Sequence, residues 1–469
     1  MTGKFSAFRY FLCFLIILIA PSLSSYAQQG FGGYREGEII CKMEVGYSIN
    51  IINSTYGTGV KGHQQQTGCF LLSVPEGQDA ESLATVIDAR PDVAYCRLNY
   101  LLMTPESLQR SQPFLDVEGI GSITLQSAAV NLELSEAQTL STGLGVKIAH
   151  IDGGVNFLHP LFDSTAAILV SRWDFVNNDS DASDEPGGTG SGHGTFIAGI
   201  LNLTAPGAEI LVYRALDTGG IGDGFSLASA VLMAVEDSCR VINLSFGMTG
   251  IHNALDDALR FAKSSGVNLV AAAGNDSTDS PLVFPFPADR GYCLAVAALD
   301  SLNLKAGFSN FGDKIDLCAP GTAIYSAYLD TAYAWWEGTS FAAPFVSGLA
   351  ALLISRNQAL LASEVDTVLS QTAVNIDSLN IGYEGLLGHG LIDFLAALGQ
   401  TGTTIYGDAN GDLLVNILDA IYIISYLYKD GPQPYPLQIA DTNNDGKITI
   451  LDTTYLLAYL YKTGPPPAQ

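Results

Sequence analysis

Four residues spread along the chain could together perform acyl-transfer chemistry: Asp152, His193, Asn275 and Ser340. A serine hydroxyl is a poor nucleophile at neutral pH, so it needs a histidine to take its proton and a buried carboxylate to orient that histidine. Ser340 lies in the run Gly338-Thr-Ser-Phe-Ala-Ala-Pro344, which opens an apolar helical stretch. A helix start there sets the positive end of the backbone dipole beside a developing alkoxide or tetrahedral anion. The Asn275 amide is a candidate donor to the same oxyanion.

Each nominee stands at the edge of an element able to hold it. Asp152 ends the apolar run 146–151, which reads as a short buried strand, and Gly153-Gly154 then turn the chain. That carboxyl end is where open parallel sheets place ligands. His193 lies in Gly192-His-Gly-Thr195, ahead of a helix-like apolar run at 196–201. Asn275 follows a strand expected over 267–274. Taken singly, an aspartate after a strand is a turn former, His-Gly is a loop and serine is a helix cap. Their order, with each at the rim of an apolar element, favours the catalytic reading.

The motifs Ile151-Asp-Gly-Gly-Val155, Gly192-His-Gly-Thr-Phe-Ile-Ala-Gly199, Ala273-Gly-Asn275 and Gly338-Thr-Ser-Phe-Ala-Ala-Pro344 occur in this order. Over about residues 110–400 the chain resembles the subtilisin-like serine peptidases, peptidase family S8. The resemblance implies an α/β fold, a doubly wound, mainly parallel sheet with helices on both faces. It implies a serine endopeptidase working through an acyl-enzyme: Ser340 as nucleophile, His193 as base then acid, Asp152 as orienter, Asn275 plus a backbone N–H as oxyanion hole. Substrate is expected to add as a strand along Ser245, Phe246 and Gly247, with Ala272, Ala273 and Gly274 walling the primary pocket. Small residues there imply a roomy, uncharged pocket, hence broad specificity with an apolar preference.

One departure is that the family usually has serine or threonine after the catalytic aspartate, where this chain has Gly153. A missing hydrogen bond to the carboxylate bears on rate more than on identity. Gly153 is also the sole support for a rival reading, a catalytically impaired scaffold acting as a surface or binding protein. A second rival, an esterase of the α/β-hydrolase type, requires a Gly-x-Ser-x-Gly elbow and the order Ser…Asp…His, and neither is present.

The flanks add three segments. Residues 1–27 read as a signal peptide, with Lys4 and Arg9, an apolar stretch at 11–20, and small residues at Ser25 and Ala27, so the protein is expected to be secreted. Residues 34–105 show strands at 38–45, 69–74 and 92–97 and helices at 46–56 and 80–88, a small α+β pattern. This segment is similar to the family's inhibitor-type pro-domains, which implies that the chain's own pro-domain inhibits it. The apolar tail 101–105 would then enter the cleft, and self-processing is expected between about Leu101 and Pro113. A permanent N-terminal domain is the alternative.

At the other end, Asp408-Ala-Asn-Gly-Asp412 through Asn416 and Asp419 is repeated 33 residues later by Asp441-Thr-Asn-Asn-Asp445 through Thr449 and Asp452. Oxygen side chains at positions 1, 3, 5, 9 and 12, with a backbone carbonyl at 7, make an EF-hand type calcium loop. Each loop runs into a helix rich in Tyr, Leu and Ile. The pair, over 406–465, resembles the dockerin type I module, which implies calcium as cofactor and a cohesin-like receptor as partner. Position 6 is Gly446 in the second loop and Leu413 in the first. A non-glycine residue in a left-handed turn costs about 1–2 kcal/mol, so the first site is expected to be weaker. The acidic stretch 174–185 is read as a solvated run rather than a further calcium site.

Composition limits the partners. A net charge of −26 disfavours nucleic acid and anionic membrane surfaces as partners, and protein or peptide substrates are what the subtilisin-like resemblance implies. The apolar stretches near 267–274 and 341–354 are interrupted by polar or glycine residues, so no membrane span is expected after the signal. Of seven cysteines, Cys13 falls in the signal, three precede the catalytic region and three lie in it. Odd numbers on each side of a cleavage make free buried thiols the expectation.

Overall fold

The run expected as a buried strand forms Lys147–Asp152, in a sheet of seven strands. Across the sheet the order is Leu317–Pro320, Leu294–Leu299, Asn268–Ala272, Val241–Leu244, Lys147–Asp152, Glu209–Arg214 and Ile168–Asp174. Every pairing is parallel. The central strands are buried along their whole length, mostly apolar, because helices cover the sheet. Chain order reverses between Lys147–Asp152 and Val241–Leu244, where His150 pairs with Asn243. This switch point opens a crevice at the carboxyl ends of the strands.

These elements come from a computed structural model. It describes residues 33–467 except 109–110, 117–121, 165–167, 248–251, 281–283, 402–405, 411–414, 430, 432–433, 435–436 and 463. The expected signal peptide at 1–27, and Asp412 and Leu413 of the first C-terminal loop, lie outside the described residues.

The helix Thr339–Arg356 is buried from Thr339 to Ile354. Among the described residues it alone is long and apolar enough to cross a membrane, yet its apolar window is 89% buried inside the fold. It is therefore a core helix. Pro344 lies within it and carries no N–H, which frees the carbonyl of Ser340 from the helix ladder. That carbonyl accepts a hydrogen bond from Ser245 Oγ at 2.8 Å.

The N-terminal unit is an antiparallel sheet in the order Gly59–Gln64, Cys69–Ser73, Tyr34–Met43, Val93–Met103, with helices Asn50–Tyr56 and Ala80–Asp88. Ile39, Ile52, Leu72 and Ile87 centre its own core. The helix expected over 46–56 begins only at Asn50, because Gly46 takes a φ of +93°, outside the helical region. The strand Gly59–Gln64 has little apolar content and was not legible in the sequence. The six cysteines of the described residues are buried and unbridged.

At the carboxyl end, helices Ile417–Tyr428 and Ile450–Lys462 pack around Ala420, Ile423 and Leu456.

Candidate active site

The site is assembled at the crevice from four separate elements. Asp152, His193 and Ser340 are fully buried and Asn275 is nearly so. Asp152 is the last residue of its strand, and His193 opens the helix His193–Thr204. His193 Nδ1 lies 2.9 Å from Asp152 Oδ1 and 3.1 Å from Oδ2. The second partner of Asp152 Oδ1 is the amide of Gly153, which donates at 2.7 Å. Backbone thus supplies a hydrogen bond beside the position where the family's hydroxyl is missing.

The helix carrying His193 is clamped at its start. Asp184 accepts from the Gly192 amide at 3.1 Å and from Thr195 Oγ1 at 2.7 Å. Burial raises the Asp184 carboxyl to about 6 against the pull of those donors. Asp174 and Glu185, from the same acidic stretch, pair with the buried Arg214 at 2.8 Å each. His150, two residues before Asp152, bonds through Nε2 to the Gly194 carbonyl at 2.8 Å and ties the strand to the same helix start.

Ser340 is the second residue of its helix, so its amide belongs to the first turn, which the helix cannot use internally. Asn275 is fixed through Oδ1, which accepts from Thr339 N at 3.0 Å and Thr339 Oγ1 at 2.8 Å. This leaves the Asn275 amide pointing at the reaction centre, as an oxyanion donor requires.

A fifth group, not visible in the sequence, joins them. Glu106, 1% exposed, accepts from Ser340 Oγ at 3.0 Å through Oε2 and from Asn275 Nδ2 at 3.2 Å through Oε1. Its Oε2 is also 3.2 Å from His193 Nε2, an ion-pair contact rather than an aligned hydrogen bond. Burial alone would lower the His193 pKa, but Asp152 and then Glu106 raise it to about 10. For Asp152, burial pushes upward and the His193 charge and hydrogen bond overcome it, leaving the carboxyl below its ordinary value. Among the described residues the Ser340 hydroxyl thus donates to Glu106 rather than to His193.

Glu106 is delivered by a strand. Leu101, Leu102 and Met103 pair antiparallel with Asp223, Gly222 and Ile221. The Gly247 amide donates to the Met103 carbonyl at 3.1 Å, and the Thr104 amide to the Gly220 carbonyl at 3.0 Å. The tail therefore lies between two edges. Gly247, expected at the substrate edge, takes part through its backbone, whereas the Phe246 side chain is 1% exposed and belongs to the core. Ser245 acts indirectly: it holds the Ser340 carbonyl and is itself held by Asn243 Nδ2 at 2.9 Å. Ala272 and Ala273 are buried, with Gly274 beside them at a φ of +95°. The opposite edge, Ile221–Asp223, was missed; its signal was the glycine run Gly219-Gly-Ile-Gly222.

The N-terminal unit is anchored beyond this strand. Asn99 Nδ2 donates to Asp223 at 3.0 Å, Lys42 Nζ to Asp257 at 2.8 Å, and Gln64 Nε2 to Ser229 Oγ at 2.9 Å.

The C-terminal loops repeat their contacts as they repeat their sequence. Asn410 N and Asn416 N donate to Asp419, and Asn443 N and Thr449 N donate in the same way to Asp452. In the second loop Asp441 accepts from the amides of Asp445 and Gly446, the latter at a φ of +81°. Asp452 is fully buried and, among the described residues, forms no ion pair with a lysine or arginine. Its oxygens accept the Asn443 and Thr449 amides, which leaves further lone pairs for a bound cation. The loop carboxylates are nevertheless not gathered: among the described residues no group of three or more His, Cys, Asp or Glu side chains is close enough to hold an ion.

A parallel α/β sheet with a serine, a histidine and an aspartate at its switch point defines a subtilisin-like serine endopeptidase by class, and the chain belongs to the subtilase family, whose description matches residues 143–399. The dockerin type I domain matches residues 406–461. Thermitase of Thermoactinomyces vulgaris is 37% identical over 255 residues, covering 52% of this chain and 87% of thermitase. Subtilisin DY of Bacillus licheniformis is 35% identical over 265 residues, covering 54% and 91%. Among solved structures, fervidolysin of Fervidobacterium pennivorans, described as a keratinolytic enzyme related to subtilisin, superposes with a TM-score of 0.64 at 22% identity. It covers 79% of this chain, and the chain covers 62% of it, a likeness of fold.

Proposed function

We propose that the protein is a secreted endopeptidase, made as a zymogen, that hydrolyses peptide bonds through Ser340, His193 and Asp152. Its N-terminal unit, residues 34–105, is the inhibitory pro-domain of the peptidase unit at 110–400. The observation that carries this reading is the convergence of Ser340, His193 and Asn275 on one carboxylate at the end of a docked strand. Substrate takes the place of that strand. His193 removes the Ser340 proton as the hydroxyl attacks, Asp152 holds the imidazolium that forms, and Asn275 with the Ser340 amide receives the oxyanion. His193 then returns the proton to the leaving amine, and water releases the acyl group by the same route. Digestion of a peptide library, read by mass spectrometry, is the test. Cleavage with an apolar preference supports the reading, and a folded, processed protein that cuts nothing overturns it in favour of the impaired scaffold.

The C-terminal module, residues 406–465, is the docking element for a cohesin-like receptor and takes calcium in its two loops. Asp408, Asn410, Asp412, Asn416 and Asp419 would hold one ion, and Asp441, Asn443, Asp445, Thr449 and Asp452 the other. The ion supplies positive charge that draws the loop carboxylates together, so binding energy becomes folding energy. Gly446 stands at a left-handed φ, and nothing lies within 4 Å of a Cβ built there. Gly446→Leu therefore adds backbone strain without a clash, and calcium affinity of the second loop should fall about tenfold, the equivalent of about 1–2 kcal/mol. Calorimetry of the Ser340→Ala chain with and without that change reads it. Unchanged affinity, or no calcium uptake by either chain, would remove the assignment.

A further inference from the structure

Glu106 is not placed as a substrate residue is. The tail pairs as a strand as far as Thr104; then Pro105, which has no N–H to give, begins the 3₁₀ turn Pro105–Leu108 and the strand pairing ends. What reaches the reaction centre is therefore a side chain. One oxygen takes the Asn275 hydrogen bond that an oxyanion would use, and the other holds the Ser340 hydroxyl. Gly338 makes the space: a Cβ there would sit 2.3 Å from Glu106 Oε1.

We propose that Ser340, His193, Asn275 and the gap at Gly338 form a carboxylate-binding site, and that the Glu106 side chain is its resident ligand in the uncut chain, a latch that must withdraw before any peptide is cut. The proposal rests on the peptidase reading given above. A side-chain carboxylate suits this duty for two reasons. It offers no peptide bond to the nucleophile, so an encounter with Ser340 leads nowhere. It also pairs with imidazolium, which keeps the base protonated and unable to accept the serine proton.

The latch has a pH dependence of definite sign. The titratable groups facing His193 are Asp152 from the sheet, Glu106 from the tail and His150, whose pKa burial lowers. With Glu106 seated, His193 stands at about 10. Withdrawal removes one of two carboxylates, so the His193 pKa falls, and the latched form binds its proton more tightly than the open form. The latch is thus at full strength below the open-form value and weakens as pH rises toward about 10.

The experiment labels full-length protein with a serine-directed fluorophosphonate and follows the label on the uncut chain by mass spectrometry, with Ser340→Ala as the unlabelled control. Glu106→Gln and Glu106→Ala should label about 10- to 100-fold faster than wild type near neutral pH, the scale of one charged hydrogen-bonded group. Alkaline pH should speed the wild type and narrow the gap. Acetate, a free carboxylate, should slow Glu106→Ala again, while Glu106→Gln, whose amide still fills the space, should be indifferent. Equal labelling of wild type and both variants, or no effect of acetate on the alanine variant, would overturn the carboxylate site. If no form labels, with or without its N-terminal unit, the peptidase reading itself fails and the latch with it.

Discussion

Ser340→Ala should lower kcat for peptide hydrolysis by about 10⁶, the scale found within this family when the corresponding serine is removed. The residue is fully buried at the start of a helix whose packing comes from Phe341, Phe345 and Leu349, so loss of one oxygen leaves the fold standing. The hydrogen bond from Ser245 goes to the Ser340 carbonyl, not its side chain, and it survives the change. Asn275 keeps its own anchor on Thr339. A residual rate of about 10³–10⁴ over water should remain from the oxyanion donors and binding. The same variant should be recovered with its N-terminal unit attached, because self-processing needs the same nucleophile. Cleavage between about Leu101 and Pro113 in the purified variant, with no peptidase added, would assign maturation to another enzyme. Near-normal hydrolysis by a folded variant would remove Ser340 from the mechanism.

The sequence made Asp152, His193 and Ser340 legible as a candidate site because each sits at the edge of an apolar run. Asp152 closes a strand buried from Ile148 onward, and Ser340 lies at the start of a helix buried almost to its end. Such edges are set by hydrophobic pattern, which one chain displays in full. Glu106 was illegible for the opposite reason. It lies 234 residues before Ser340, and it reaches the serine only because a strand with no fixed partner in the sequence finds the short edge Ile221–Asp223. That edge has one apolar residue in three, too little for a strand pattern. The repeat of the C-terminal module was legible in the sequence, whereas the contacts that follow it, a hydrogen bond to Asp419 in one loop and its counterpart to Asp452 in the other, were not read from it. The helix at 46–56 was read too long since Tyr47 and Ile49 continue an apolar pattern, while Gly46 sets the backbone outside the helical region.

Asp152→Asn should be the second severe change, with kcat down by about 10⁴ and KM little altered, a magnitude known from serine peptidases of this mechanism. The geometry gives the cause. Both carboxylate oxygens of Asp152 lie within 3.1 Å of His193 Nδ1, so the ring presents N–H to Asp152 and leaves Nε2 to face the nucleophile. An asparagine amide in that place can offer N–H to Nδ1 and reverse the tautomer, which puts the proton on the nitrogen that must accept one. The Gly153 amide donates to Asp152 Oδ1, which is also the oxygen nearer to Nδ1, so an asparagine in that place meets the ring with both its carbonyl and its NH₂. The pH profile separates this from simple disorder. Asp152 raises the His193 pKa, so its neutralisation must lower that pKa, and the acid limb of kcat/KM should move to lower pH. Rates measured on chains freed of the N-terminal unit by added peptidase, across the acid limb, decide it. A loss under tenfold, or a limb that moves to higher pH, would show that Asp152 neither orients nor charges His193.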